Sequence, residues 1–443
     1  MGLVVQICQM ILMLSILVIL HEFGHYLTAK WFKTRVEKFF LFFDWPRAIV
    51  KKKIGETVWG IGILPLGGYV KIAGMIDESM DKEQMKQPPQ PWEFRSKPAW
   101  QRLIIMLGGI VVNVLLAWLI LTVMYSTIGH KYESVDKINQ EGYAFGEVGK
   151  SLGFQDGDKI LTVDGKKQVQ FKRQVLDILL GRNVEVERNG ERKTIVIEDS
   201  MKAVIFEQEG KSFIQPRIGY ILLDSIQPNS VADLANLQKG DEILAINSTP
   251  LSFYDQLSVE LKKHASDSIN LKVLRNNQEI EVAAKLDETG RLGIYPGLKP
   301  QIGNKYLVVT EYSFFEAIPV AIEESIEILK YNIKNIKLIF KPATKAYKSA
   351  KSFIGITRIM PTTWDWEFFW NFTAMFSMWL AFLNLLPIPG LDGGHALFTI
   401  GEMVTGRKLN DKAMGIVQSI GMIILLALMI LLFGKDIYDL IFR

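Results

Sequence analysis

The sequence predicts an α-helical polytopic membrane protein of about four spans, with a β-rich cytoplasmic segment and two exterior α+β domains. Three observations carry this reading. Of 443 residues, 49% are apolar and the mean hydropathy is +0.16, which points to a membrane protein that also carries soluble parts. Four segments have membrane character: a run from Ile7 to Leu20 that continues into ionisable residues, then Leu103 to Ile128, Phe368 to Leu386 and Ile416 to Phe433. Between the second and third lies a polar, β-rich stretch that repeats itself. The net charge of +4 decides nothing about partners, and the single cysteine, Cys8, sits inside the first apolar run, so neither a disulfide framework nor a cysteine zinc site is available.

The first span leads directly into His21-Glu22-Phe23-Gly24-His25. On a helix, residues four apart share a face, so His21 and His25 can offer imidazoles to one ion with Glu22 alongside. Zinc takes neutral imidazoles, and a carboxylate next to the first ligand can accept a proton from water. Shuffling a chain with five histidines yields roughly 0.003 such matches, so chance is a poor explanation. Ionisable residues at the end of a membrane segment are costly, which adds to the case for a metal site. The run has no basic n-region and no A-x-A cleavage site, and it holds these residues, so it is expected to remain in the mature protein.

Residues 31–99 follow, rich in Lys and Arg, including Lys51-Lys52-Lys53; the connection after the third span carries Arg407, Lys408 and Lys412. Positive-inside bias places both in the cytoplasm, with the N- and C-termini and the long middle region outside. Val36 to Phe40 and Thr57 to Ile61 read as short strands that either offer an edge to an extended substrate or form a structural hairpin. Asp77 to Pro91 reads as a linker.

In the exterior region, Leu152 to Asp164 aligns with Ala235 to Asn247 at an offset of 83 residues, and Arg188-Asn189-Gly190 recurs as Arg275-Asn276-Asn277. One domain has been duplicated, as 129–215 and 216–303. The shared Gly-Asp turn followed by a strand resembles PDZ domains, which implies peptide binding by strand addition; a role as spacer or shield is the alternative. Residues 304–365 hold Phe314 to Phe340, apolar at helical spacing but interrupted by charges, and so expected as an amphipathic helix on the outer membrane surface. Trp364, Trp366 and Trp370 mark the interface before span three.

Span three, within 366–400, runs into Asn384-Leu385-Leu386-Pro387-Ile388-Pro389-Gly390-Leu391-Asp392-Gly393-Gly394-His395. Two prolines stop the helix, and glycines let the backbone bring Asp392 round as a third ligand, with His395 as its rival. Residues 401–443 supply span four. His130 and His264 lie in the exterior region and read as surface histidines.

H-E-F-G-H in span one, N-L-L-P-I-P-x-L-D-G-G after span three and two PDZ-like repeats between spans two and three together resemble the site-2 protease family. The tandem repeat is similar to that of the family's RseP group from bacteria. The resemblance covers nearly the whole chain. It implies an intramembrane zinc endopeptidase of the inner membrane, with His21, His25 and Asp392 on Zn2+, Glu22 as base and Asn384 as a polar contact to substrate or intermediate. It also implies single-span membrane substrates such as anti-sigma factors or signal-peptide remnants, a bilayer around the catalytic site, and no nucleic acid. The chain departs from relatives at Phe42-Phe43-Asp44, where they commonly carry G-x-G. The rival class is a catalytically inactive PDZ scaffold. A transporter would be expected to show paired broken helices or inverted repeats, which are not seen.

Overall fold

A computed structural model describes residues 2–64, 67–75, 88–207, 213–297, 305–407 and 411–442. Most of the expected linker Asp77–Pro91, and Lys408 in the basic connection before span four, lie outside these residues. The chain divides into two compact units, one of 1–130, 311–336 and 350–443, the other of 131–310 and 337–349.

The first unit opens with α1 (Gly2–Trp31). Its apolar residues largely face outward, with Leu3, Val4, Leu12 and Leu27 exposed, while Met13, Leu17, His21, Gly24 and His25 turn inward. Such a helix, polar only on its inner stripe, suits lipid on one side and protein on the other. Next come β1 (Val36–Leu41), β2 (Phe43–Ile54), β3 (Thr57–Leu64) and β4 (Tyr69–Ile72). They form one sheet in the order β2-β3-β1-β4, with β1 parallel to β3 and the other pairs antiparallel. Aromatics bind this sheet to the end of α1: the Tyr26 ring lies 5.0 Å from Trp59 and 5.9 Å from Phe39. At Phe42, between β1 and β2, φ is 67°, a left-handed turn without glycine. Asp44 pins that turn by accepting from Tyr69 Oη at 2.9 Å and Lys38 Nζ at 3.2 Å.

Helix α2 (Ala99–Thr127) crosses α1 where both chains carry glycine. A Cβ on Gly108 would lie 2.6 Å from Gly24 O, so only small residues allow this approach.

The second unit contains two similar segments. The first comprises β5 (His130–Glu133), α3 (Val135–Ile138), β6 (Tyr143–Phe145), α4 (Glu147–Ser151), β7 (Lys159–Val163), α5 (Phe171–Leu180), β8 (Asn183–Arg188), β9 (Glu191–Val196), α6 (Asp199–Glu207) and β10 (Ile214–Pro216). The second comprises β11 (Leu222–Ile226), α7 (Val231–Leu234), β12 (Glu242–Ile246), β13 (Thr249–Pro250), α8 (Tyr254–Lys263), β14 (Ser268–Arg275), β15 (Gln278–Lys285) and β16 (Ile294–Gly297); β17 (Leu307–Thr310) pairs with β5. Each segment has its own core, one around Tyr143, Phe154 and Ile160, the other around Leu223, Ile243 and Leu271.

The sequence repeat has a physical content. Asp158 is buried, and Arg188 donates to both its oxygens at 2.7 Å; Asp241 is buried and Arg275 does the same at 2.7 Å. Both arginines also reach a carbonyl, Gly153 O at 2.8 Å and Asn236 O at 2.9 Å. A buried carboxylate needs its charge matched and its lone pairs filled, which explains why Gly-Asp and Arg-Asn recur together.

A single helix, α9 (Phe314–Ile339), spans the charged, apolar stretch expected to be helical. Within the first unit, Ala317 and Ala321 are fully buried against Ala117, Leu121, Tyr125 and Ala374, while Ile318, Ile326 and Ile333 stay exposed. The two alanines permit this close packing. Short α10 (Phe353–Thr357) precedes α11 (Trp366–Leu385), whose first turn is capped by Asp365 accepting from Phe368 N at 3.0 Å. After the proline break the chain restarts as a separate helix, α12 (Asp392–Thr405), and ends with α13 (Asp411–Phe442). Asp436 of α13 ties this helix to α10 by accepting from Ser352 N at 2.7 Å and Gly355 N at 2.9 Å. Among the described residues, four helices, α1, α2, α11 and α13, are long and apolar enough to cross a membrane.

Candidate active site

Two helices bring three candidate donors to one point. His21 and His25 face inward from α1, and Asp392 is the first residue of α12. Asp392 Oδ2 lies 3.2 Å from His21 Nε2 and 3.2 Å from His25 Nε2, and the two Nε2 atoms are 3.3 Å apart. Zinc binds nitrogen and oxygen at about 2.0–2.1 Å in a tetrahedron, whose edges are then about 3.3 Å. The three donors therefore have the spacing of one tetrahedral face. Asp392 Oδ2 is also buried without a hydrogen-bond partner, an expensive condition that a cation relieves. Two imidazoles and a carboxylate are the donor types zinc prefers, so the residues fit the ion. Among the described residues, this is the one group of three or more such side chains able to share a metal.

The loop from Leu386 to Leu391 brings Asp392 into place. Leu386 N–H closes on Leu383 O at 3.1 Å as α11 ends, and Leu391 N–H on Ile388 O at 3.1 Å before α12 begins. Cβ atoms on Gly393 and Gly394 would strike the carbonyls of Leu386 and Ile388, so the double glycine is what lets the loop fold back over the helix start. Asn384, near the end of α11, sets its side-chain Nδ2 3.3 Å from His21 Nε2, beside the donor triangle. Glu22 is close enough to His21, His25 and Asp392 to feel the charge of each, and Val70 N–H donates to its carboxylate. His395 is not part of the triangle: its imidazole meets Gln418 of α13, whose Nε2 is 2.8 Å from His395 Nδ1. Neither His130, whose ring lies 4.5 Å from that of Tyr125, nor His264, which pairs with Glu260 at 3.6 Å, belongs to the donor triangle.

Several partners were not read from the sequence. His25 Nδ1 donates to Ile105 O at 2.8 Å, and His21 Nδ1 lies 3.1 Å from the side chain of Asn113, both from α2. Gly109 leaves room for the imidazoles, since a Cβ there would lie 2.5 Å from His25 Nε2 and 2.6 Å from His21 Cε1. A signal for these existed: Asn113 is the single amide in the apolar core of span two, and Gly108-Gly109 are its small residues. Val70 and the Ile105 carbonyl act through backbone atoms and leave no trace in residue type.

A membrane-embedded helical unit with such a donor set defines a class of metallohydrolase. The chain belongs to peptidase family M50, the site-2 protease family, whose profile matches residues 9–428. Relatives over nearly full length include the Regulator of sigma-E protease RseP of Escherichia coli (strain K12), 26% identical over 97% of this chain and 98% of its own. The Regulator of sigma E protease of Haemophilus influenzae is 26% identical over 96% and 97%. A Xylella fastidiosa relative whose name includes the words "zinc metalloprotease" is 28% identical over 98% of both chains. The protein is accordingly a multi-pass membrane zinc metalloprotease of the site-2 type, and nothing supports the inactive-scaffold alternative.

Proposed function

We propose that His21, His25 and Asp392 hold the zinc, that Glu22 is the general base, and that Asn384 contacts the substrate or its tetrahedral intermediate. The donor spacing of 3.2, 3.2 and 3.3 Å carries this reading. Bound zinc supplies Lewis acidity, which polarises a carbonyl and makes water acidic enough to lose a proton near neutral pH. Glu22 takes that proton and returns it to the departing amine nitrogen. Val70 N–H fixes the carboxylate for this exchange, and the Asn384 amide is placed to donate to negative charge developing on the scissile carbonyl oxygen.

The substrate bond is cleaved within the membrane. His21 lies about 7 Å from the midpoint of the 30-residue α1, less than the half-thickness of about 15 Å of a hydrocarbon core. Substrates are single-span membrane proteins; the names of the RseP-type relatives favour anti-sigma-factor-like ones, and signal-peptide remnants share the same form. The basic residues of 31–99 and the Arg407–Lys412 connection favour an inner-membrane orientation with this side cytoplasmic and the two PDZ-like segments outside. Those segments, remote in sequence from every site residue, serve substrate selection. Glu22→Gln tests the assignment: it should keep zinc and lose cleavage of a model single-span substrate, because only the proton acceptor changes. Full activity would overturn the role of Glu22.

A further inference from the structure

We propose that Asn113 is a positioning residue for the metal centre, presenting its side-chain oxygen to a protonated Nδ1 of His21 and so holding that imidazole in the tautomer whose Nε2 can bind zinc. The inference rests on His21 being a ligand, as argued above.

Asn113 lies in the middle of α2, fully buried. Its backbone oxygen accepts from Ser377 Oγ of α11 at 2.7 Å, so the residue is clamped between the helices bearing His21 and Asn384. A buried primary amide in a membrane helix is costly unless its polar atoms are used. The neighbouring imidazole shows what the use is. His25 Nδ1 faces Ile105 O at 2.8 Å, and a carbonyl can only accept, so the His25 proton sits on Nδ1 and the Nε2 lone pair points to the donor triangle.

His21 has the same requirement. Its Nε2 is the atom that lies 3.2 Å from Asp392 Oδ2 and 3.3 Å from His25 Nε2, so its proton must also sit on Nδ1, and whatever meets Nδ1 must accept. The amide of Asn113 meets it at 3.1 Å. As placed, the nitrogen of that amide faces His21 and the oxygen, Oδ1, is buried without a partner. A half-turn about the terminal bond exchanges the two ends with almost no change in shape. It gives Oδ1 a donor and His21 Nδ1–H an acceptor. One backbone carbonyl and one side-chain amide, both from α2, thus orient the two imidazoles.

The test compares zinc affinity, by chelator competition, and the visible spectrum of the cobalt-substituted full-length protein in detergent. Asn113→Leu keeps the bulk but cannot accept; zinc affinity should fall about 10–100-fold, with a changed cobalt spectrum. Asn113→Asp retains an accepting oxygen and should hold zinc at least as tightly as the parent with a parent-like spectrum, whereas a purely packing role would leave Asn113→Leu, of similar bulk, parent-like as well. Parent-like zinc affinity in Asn113→Leu, or a loss in folded Asn113→Asp as large as in Asn113→Leu, would overturn the proposal. Should Asn113→Leu fail to fold, the Asp variant alone decides: tight zinc supports the proposal and lost zinc refutes it. His21→Ala is measured in parallel, since retention of zinc there would refute the ligand assignment and not the role of Asn113.

Discussion

Replacing Gly109 by alanine adds one methyl group at the most sensitive point of the site. The new Cβ would lie 2.5 Å from His25 Nε2, 2.6 Å from His21 Cε1 and 2.8 Å from His21 Nδ1. An ordinary contact needs at least 3.4 Å, so about 0.9 Å of separation must be found. Moving α2 bodily away would pull apart the Gly24–Gly108 crossing and the bonds from Ile105 O and Asn113. Moving the imidazoles displaces donors that zinc tolerates only within about 0.2 Å. Both routes damage the centre, and a misplacement near 1 Å costs on the order of 100-fold in rate. Gly109→Ala should therefore bind zinc at least about tenfold more weakly and cleave a model single-span substrate about 100-fold more slowly, while the helices remain assembled. Gly401→Ala in α12, where an added Cβ meets nothing within 4 Å, is the control and should behave as the parent. Metal analysis and cleavage assays on detergent-purified protein give the answer. Parent-like zinc affinity and rate in Gly109→Ala would show that the imidazoles are not packed against α2 as described.

Two further outcomes follow from buried charge. Arg102, 4% exposed, donates to Glu402 of α12 at 2.5 Å and to Lys97 O at 3.1 Å, so Arg102→Ala leaves a part-buried carboxylate unpaired on the helix that begins with Asp392. It should cost about 1–3 kcal/mol and lower the unfolding temperature, with Arg102→Met/Glu402→Met recovering part of the loss; an unchanged transition in Arg102→Ala would refute the clamp. In the second unit, Arg188→Ala should open the first repeated segment and Arg275→Ala the second, each through its own stranded aspartate, with zinc content unaltered. Hydrogen exchange resolved by segment would reveal this, and equal protection in parent and variants would refute it.

The parts of this protein that were legible in the sequence are those where a spacing or a break forces the geometry. His21 and His25 four apart on a helix could only share a face, and the two prolines before Asp392 had to end α11. The residues alone left Asp392 and His395 open and only the family resemblance favoured Asp392; in three dimensions the two turn to different neighbours, Asp392 to the imidazoles and His395 to Gln418. The partners that orient the histidines were harder still. Ile105 and Val70 act through main-chain atoms, which every residue carries, and the role of Gly109 is the absence of a side chain. In α9, the burial of Ala317 and Ala321 against neighbouring helices rests on small side chains whose packing the charge pattern does not reveal. Phe42 likewise takes a left-handed φ of 67° in a position where a glycine would be the simple choice.

The most direct measurement is the zinc content of the purified full-length chain in three forms, parent, Asp392→Asn and His395→Ala. Asp392 contributes the oxygen that completes the donor triangle, whereas His395 is engaged with Gln418. The parent and His395→Ala should each carry one zinc per chain, and Asp392→Asn should lose most of it. Zinc kept by Asp392→Asn and lost by His395→Ala would contradict the metal centre described here.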